Sequence, residues 1–277
     1  MCGRFLAQRD AEFETVDQTP MTRASYSPID LPLVVTTAFS PKSDVPYLAL
    51  KKGDLRTRET IYAITWWICR SEFAKIVVVE TTGDETLSEP LTALARSCGK
   101  RLEYIAIEND NESIARCGKG FGEGYALDIA LGKSSILAAC EGFFKCTGKI
   151  IVENYLDCVE HADSQQFYFD VPRGSSNFVD TRFYFTSKNF WEANLRNAYK
   201  KVDDSKGVFL ENAYYASIAK VAEIPYNPVV IRLRGVSGTS SETFAIGPVM
   251  YRAQTLWRKV VCGFAGFRTN LLAKARR

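Results

Sequence analysis

Histidine is nearly missing from this sequence: His161 is the only one in 277 residues, and the eight cysteines include no CxxC pair. A zinc site therefore lacks its usual ligands, and triad chemistry lacks a histidine paired with a nucleophile. Most of the cysteines (Cys2, Cys69, Cys98, Cys117, Cys140, Cys146, Cys158 and Cys262) lie in apolar context. A free thiol there behaves as a small buried hydrophobe, which points to a reducing cytoplasm. No apolar run reaches the roughly 18 residues that a membrane span needs. Arg4, Arg9, Asp10 and Glu12 interrupt any signal-peptide core. Acidic residues are absent from 243–277, where Arg252, Arg258, Lys259, Arg268, Lys274, Arg276 and Arg277 are all basic. The whole chain carries only +3, too little to imply nucleic acid as a partner. What is present is a 46% hydrophobic content and 17 Phe, 13 Tyr and 4 Trp, enough for a full core and for a ring-lined cleft.

Residues 1–30, polar and mixed with Pro20 and Pro28, read as a loosely ordered leader. Residues 33–37 form a β-branched apolar run, a buried strand feeding a loop to about residue 54. Ile61, Ile64, Trp67 and Ile68 share one face of a helix over 56–73, and 75–80 (KIVVVE) is a second buried strand. A helix over 87–97 leads to a third strand at 102–107. This alternation predicts a parallel sheet with helices on its faces, an architecture that binds nucleotides. Further helices are expected at 125–140, 189–201 and 207–221, and strands at 166–171 and 178–185. Residues 143–152 read as a strand or turn with two buried ends, and 227–247 as two strands around Gly235 and Gly238.

Several segments carry candidate chemistry. Gly118, Gly120, Gly122 and Gly124 precede the 125–140 helix, and a loop of this kind brings backbone N–H groups to a pyrophosphate. Lys119 adds charge; the plainer reading is a flexible connection. The stretch matches neither the dinucleotide fingerprint nor the P-loop. Lys145, Thr147 and Lys149 set two ammonium groups and a hydroxyl around Gly148, suited to phosphate oxygens or simply solvated. Asp180, followed by Arg182 on a strand edge, and Glu211, inside a helix, are carboxylates able to deprotonate a hydroxyl or ligate a metal. Asp203 and Asp204 read in the same way or as a helix stop and N-cap. His161, beside Glu160 and Asp163, reads as a structural or surface residue in a polar loop.

The ordered blocks KIVVVETTG (75–83), GKGFGEG (118–124), FFKCTGK (143–149), FVDTRFYF (178–185) and VDDSKGVFLENAYY (202–215) resemble small bacterial glycosyltransferases of capsule, O-antigen and lipopolysaccharide clusters, over about residues 31–220. The resemblance implies an α/β, GT-A-like fold: a Rossmann-type, mostly parallel sheet with helices on both faces. It implies a catalytic domain over 31–248, with a nucleotide-sugar half at 31–150 and an acceptor half at 151–248, before a basic amphipathic segment at 249–277. The implied reaction moves a hexosyl or related sugar from a nucleotide-sugar donor to a hydroxyl of a polysaccharide or lipid-linked glycan. Glu211 or Asp180 would be the base. Gly118, Lys119, Gly120, Gly122, Glu123, Lys145, Thr147, Lys149 and Arg182 would surround the donor. The DxD pair that holds a metal in such enzymes has no match here, since Lys145 and Lys149 occupy that region. No metal ligand is assigned, and fixed cations would neutralise the diphosphate instead.

Two other families share features with the chain. Glu80, closing the second strand, would suit the ribose of an adenosyl cofactor in a Rossmann-like methyltransferase. Met1-Cys2-Gly3-Arg4-Phe5 is similar to the start of SOS-response-associated peptidases, which bind abasic DNA, but that family's tryptophan-rich and histidine motifs are missing downstream. In 251–277, Trp257, Val260, Val261, Phe264, Phe267, Leu271 and Lys274 share one side at helical spacing. This predicts a helix lying on an anionic membrane surface, or one packed on the catalytic domain. The expected location is cytoplasmic, peripheral on the inner membrane.

Overall fold

The computed structural model describes residues 30–39, 53–108, 111–162, 165–172, 177–224, 227–236, 243–244 and 247–275, the last stretch by backbone alone from 263 onward. The expected leader over 1–30, apart from Asp30, lies outside these residues, as do Met1 to Phe5, most of the 38–54 loop, Asp163, Gly238, Arg276 and Arg277.

In chain order the elements are β1 (Leu33–Thr37), α1 (Gly53–Arg70), β2 (Lys75–Glu80), α2 (Ser88–Ser97), β3 (Arg101–Ala106), α3 (Asn111–Cys117), α4 (Lys119–Lys133), α5 (Ser135–Ala138), β4 (Gly142–Thr147), β5 (Ile150–Val152), α6 (Tyr155–Ala162), β6 (Phe167–Asp170), β7 (Asp180–Ser187), α7 (Lys188–Phe190), α8 (Leu210–Ile218), β8 (Leu233–Val236), β9 (Thr243–Phe244) and α9 (Pro248–Ala275). One π-helical turn, Trp191–Leu195, and short 3₁₀ turns connect α7 to α8.

Six strands form one sheet in the order β3-β2-β1-β4-β7-β6. β1 to β4 pair in parallel, while β7 runs antiparallel to both of its neighbours. Strands buried on both faces should be near-continuous apolar runs, and KIVVVE is one. Leu33, Val35, Ile76, Val78 and Phe144 point to one face and pack on Ile64, Trp67 and Ile68 of α1 and Leu91 of α2. Val34, Val77, Val79 and Phe143 point to the other and pack on α4, α5 and α8. The expected architecture, a mostly parallel sheet with helices on both faces, is therefore present. Trp67 is fully buried and satisfies its indole N–H on the Ile150 carbonyl at 2.9 Å. Truncating such a residue to Ala costs about 3–5 kcal/mol.

The glycine-rich stretch departs from expectation. It is the first turns of α4, not a loop, with Gly120, Gly122 and Gly124 buried. A methyl group at Gly120 would meet Leu210 at 3.1 Å, and one at Gly124 would run into the Tyr199 side chain. Glycine costs a helix about 1 kcal/mol per residue against alanine, which hides such a helix from sequence periodicity. Here close packing of α4 on the 198–201 turn and α8 offsets that cost. His161 also departs from expectation, since it lies on α6 edge-on to Tyr168, and burial lowers its pKa.

A second sheet, β5-β8-β9, follows the turn after β4. Gly235 of β8 has φ +143 and lies against the Lys149 carbonyl so closely that no side chain would fit. α9 follows and is tied to the body through Tyr251 and Arg258. Its inward side carries Tyr251, Thr255, Arg258 and Cys262, and its outward side exposes Val249, Leu256 and Val260.

Candidate active site at the strand ends

In open α/β sheets, ligands bind beyond the carboxyl ends of the strands. Here β1, β2 and β4 end on one edge, and the reversed β7 brings its first residues, Asp180 to Arg182, to the same edge. Beyond β4 the chain turns tightly across β1: Gly148 N–H donates to the Thr36 carbonyl at 2.8 Å. A Cβ at Gly148 would come within 2.7 Å of Thr37 Cβ, so this turn needs glycine.

The turn sets the two lysines in different environments. Lys145 is fully buried, and its ammonium donates to Glu123, to Thr147 Oγ1 at 3.1 Å and to the Thr181 carbonyl at 2.8 Å. Those three bonds use every donor that the ammonium has. The Thr181 hydroxyl in turn donates to Glu211 Oε1 at 2.9 Å. One polar chain thus links α4, β4, β7 and α8. Lys149 is buried as well, yet among the described residues none accepts a hydrogen bond from it. Burial, with Arg56 and Lys119 close by, pushes its pKa down to about 7, and only Glu123 opposes the shift. Burial also raises the Glu211 pKa.

Of the residues expected around a donor, Glu123, Lys145 and Thr147 meet in this chain of contacts, and Lys149 with Lys119 lies beside it. Asp180 and Arg182 form a close ion pair with each other, Arg182 Nε lying 2.9 Å from Asp180 Oδ1. Gly118, Gly120 and Gly122 present no open loop. The start of α4 already faces a carboxylate, since Lys119 N–H donates to Asp204 Oδ2 at 3.1 Å. Asp204 therefore caps a helix that precedes it by more than 80 residues, rather than α8. Asp203, partly exposed, accepts from Lys206 and Ser205, which hold its pKa down to about 2. Glu80 is occupied: it accepts from Phe39 N–H (3.0 Å), Thr82 N–H (2.8 Å), Thr82 Oγ1 (2.7 Å) and Asp84 N–H (2.8 Å). A ribose would find no free oxygen there.

Sequence reasoning missed Arg56, Thr181, Asp170 and Arg258. Arg56 donates from Nε to the Ala38 carbonyl at 2.6 Å, and one of its buried Nη atoms has no partner among the described residues. The register of β6 and β7 shifts between Tyr168 and Asp170. There Thr181 reaches Glu211 while Asp180 and Arg182 line a separate cavity of about 670 Å³ under α9. Arg258, on α9, anchors that helix through Asp170 (Nη1–Oδ1 2.5 Å, Nη2–Oδ2 3.2 Å) and the Val229 carbonyl at 3.1 Å. A segment without acidic residues gave no sign that one of its arginines turns inward onto an aspartate. Among the described residues no group of three His, Cys, Asp or Glu is placed to hold a metal, and no helix is long and apolar enough to cross a membrane.

No protein-family model matches the chain, and no curated protein is similar to it in sequence. Solved structures are similar at low identity. The glycosyltransferase GlyE of Streptococcus pneumoniae aligns at a TM-score of 0.40 and 11% identity over 59% of this chain and 36% of that one, so the match spans little more than a third of GlyE. The galactosyltransferase LgtC, solved with donor and acceptor sugar analogs, aligns at 0.44 and 12% identity over 67% of this chain and 69% of that one. A glycosyltransferase involved in glycosylation of the major capsid of PBCV-1 aligns at 0.40 and 9% identity, over 83% and 99%.

Proposed function

We propose that the chain transfers a sugar from a nucleotide-sugar donor to a glycan hydroxyl. The observation that carries this reading is Lys149: a buried side chain at the carboxyl edge of the sheet whose ammonium reaches the surface without an accepting group among the described residues, with Arg56 and Lys119 beside it. Buried charges are normally paired, and three cations gathered at a strand edge suit the diphosphate of a donor. Lys145 has the different task of holding Glu123, Thr147 and Thr181 in register. Glu211, with its raised pKa and the Thr181 hydroxyl to orient it, is the base. It takes the proton from the acceptor hydroxyl as that oxygen bonds to the sugar's anomeric carbon. The anomeric carbon–oxygen bond to the diphosphate breaks, and the departing charge is met by Lys149 and Arg56. Asp180 is the weaker candidate for base because Arg182 already engages both of its oxygens.

Mg²⁺ and Mn²⁺ favour oxygen ligands, and the β4 end offers ammonium groups where a DxD pair would stand, so these residues do not fit a divalent ion. Lipid-linked or polysaccharide acceptors, and a peripheral place on an anionic inner membrane, are supported by the outward side of α9. Val249, Leu256 and Val260 are exposed there beside Arg252 and Lys259, with Arg258 turned inward. The test is a screen of nucleotide sugars that follows release of the nucleotide, with and without a chelator. Release from at least one donor that persists in chelator is expected. No release from any donor, with no nucleoside diphosphate bound in calorimetry, defeats the reading.

A further inference from the structure

The cavity under α9 differs in chemistry from the strand edge beside it. Its charges balance: Asp170 pairs with Arg258, and Asp180 with Arg182. Its walls are apolar, with Trp257, Met250 and Ala253 of α9 facing Ile231, Leu233 and Phe244. Arg182 also stacks over the Phe244 ring at 4.8 Å. The volume of about 670 Å³ falls inside the range of small-molecule sites, roughly 300–1,000 Å³, and the mixture of apolar wall with a few fixed polar groups is their usual lining.

Charge balance selects the ligand. A phosphate or carboxylate would meet two aspartates, and a cation would meet two arginines; either would leave a desolvated charge opposed. An uncharged polyol meets donors and acceptors in equal supply, and the apolar face of its ring can lie on an indole or phenyl group that presents an apolar body. Position selects the role. Asp180 and Arg182 flank Thr181 on β7, and Thr181 holds Glu211.

We infer that this cavity is the acceptor subsite and takes the uncharged end of a glycan, with α9 as one of its walls. The inference rests on the sugar-transfer reading and adds the place and charge of the acceptor. Helix α9, anchored through Arg258, is then part of substrate recognition in addition to any contact with a lipid surface.

The test presents the full chain, with uridine diphosphate in solution, to an array of immobilised neutral and acidic glycans. Binding of the nucleotide is followed separately by calorimetry. Retention on neutral glycans is expected, falling about tenfold or more in Trp257→Ala, as for an aromatic anchor. Ala253→Phe, which fills the cavity and leaves Arg258 in place, should do the same with nucleotide binding unchanged, and Trp257→Phe should restore part of the signal. Lys149→Ala should keep glycan retention while losing nucleotide. Equal retention by wild type and both cavity variants, preference for acidic glycans, or no retention at all overturns the inference. Glycan retention that depends on Trp257 without any nucleotide binding leaves the cavity assigned and defeats the transfer reading instead.

Discussion

The strands β2 and β4 flank β1 and end on the same edge, yet their ends are opposites. At the end of β2 the buried Glu80 carboxylate accepts four hydrogen bonds and ties the turn that follows it to Phe39 beyond β1. Just beyond β4 the Lys149 side chain is buried, while its ammonium finds no acceptor among the described residues and stands near two other cations. Burial alone does not distinguish scaffold from site; completeness of hydrogen bonding does. A buried polar group with all its partners specifies a fold, whereas one without them carries a cost that a ligand can relieve.

The comparison breaks most readily at Glu211, the proposed base, which the Thr181 hydroxyl holds. Glu211→Gln keeps size and the Thr181 hydrogen bond but removes basicity, so sugar transfer should fall by about 10² to 10⁴ with nucleotide affinity retained. Turnover within a few-fold of wild type would move the role to Asp180. Next in size is Glu80→Ala, expected to cost about 3 kcal/mol or more, since several N–H groups lose their acceptor in or near the interior. Chemical denaturation reads this directly, and a loss under 1 kcal/mol would show that water replaces the carboxylate.

Lys149→Ala should do the reverse. Affinity for a nucleoside diphosphate should drop about 10- to 100-fold, the worth of a charge-assisted hydrogen bond, while the unfolding midpoint holds or rises. Parallel loss of stability and affinity would erase the distinction between the two strand ends. The smallest effect is in pH. In the free protein Lys149 gives up its proton as pH rises through about 7, and a bound diphosphate favours the protonated form. Affinity should therefore be full below pH 7 and fall by up to about tenfold per pH unit above it, with a proton taken up on binding. Calorimetry in buffers of different ionisation enthalpy measures that proton. The same uptake in Lys149→Ala would assign it elsewhere.

Much of the sheet was legible because β1 and β2 are near-continuous apolar runs and the helices around them have clear 3.6 periodicity, and the observed strand bounds fall within a few residues of expectation. The reading failed where local preference and tertiary context disagree. Glycine weakens a helix, so residues 118–124 read as a loop, although the bulk of Tyr199 and Leu210 requires small residues on that face of α4. At the site, Lys145 and Lys149 looked equivalent in sequence, four residues apart with the same charge. Only the turn at Gly148 separates them into a satisfied cation and an unsatisfied one. Thr181 was overlooked between Asp180 and Arg182 because charge draws attention, although its hydroxyl is what reaches Glu211. Arg258 was read with the other basic residues of its segment as facing lipid or solvent, and nothing in its neighbours marks the distant Asp170.

Gly235 carries a further consequence. Its backbone lies against the Lys149 carbonyl in a conformation that L side chains rarely adopt. Position 235 carries no side chain and stands 86 positions along the sequence from Lys149. In a library of random variants selected for activity, it should nevertheless tolerate almost nothing. Any added side chain would push the β4–β5 turn, and the ammonium with it, out of place. Genetic mapping would then score as essential a residue that binds nothing, and suppressors of its loss should arise in the 148–150 turn.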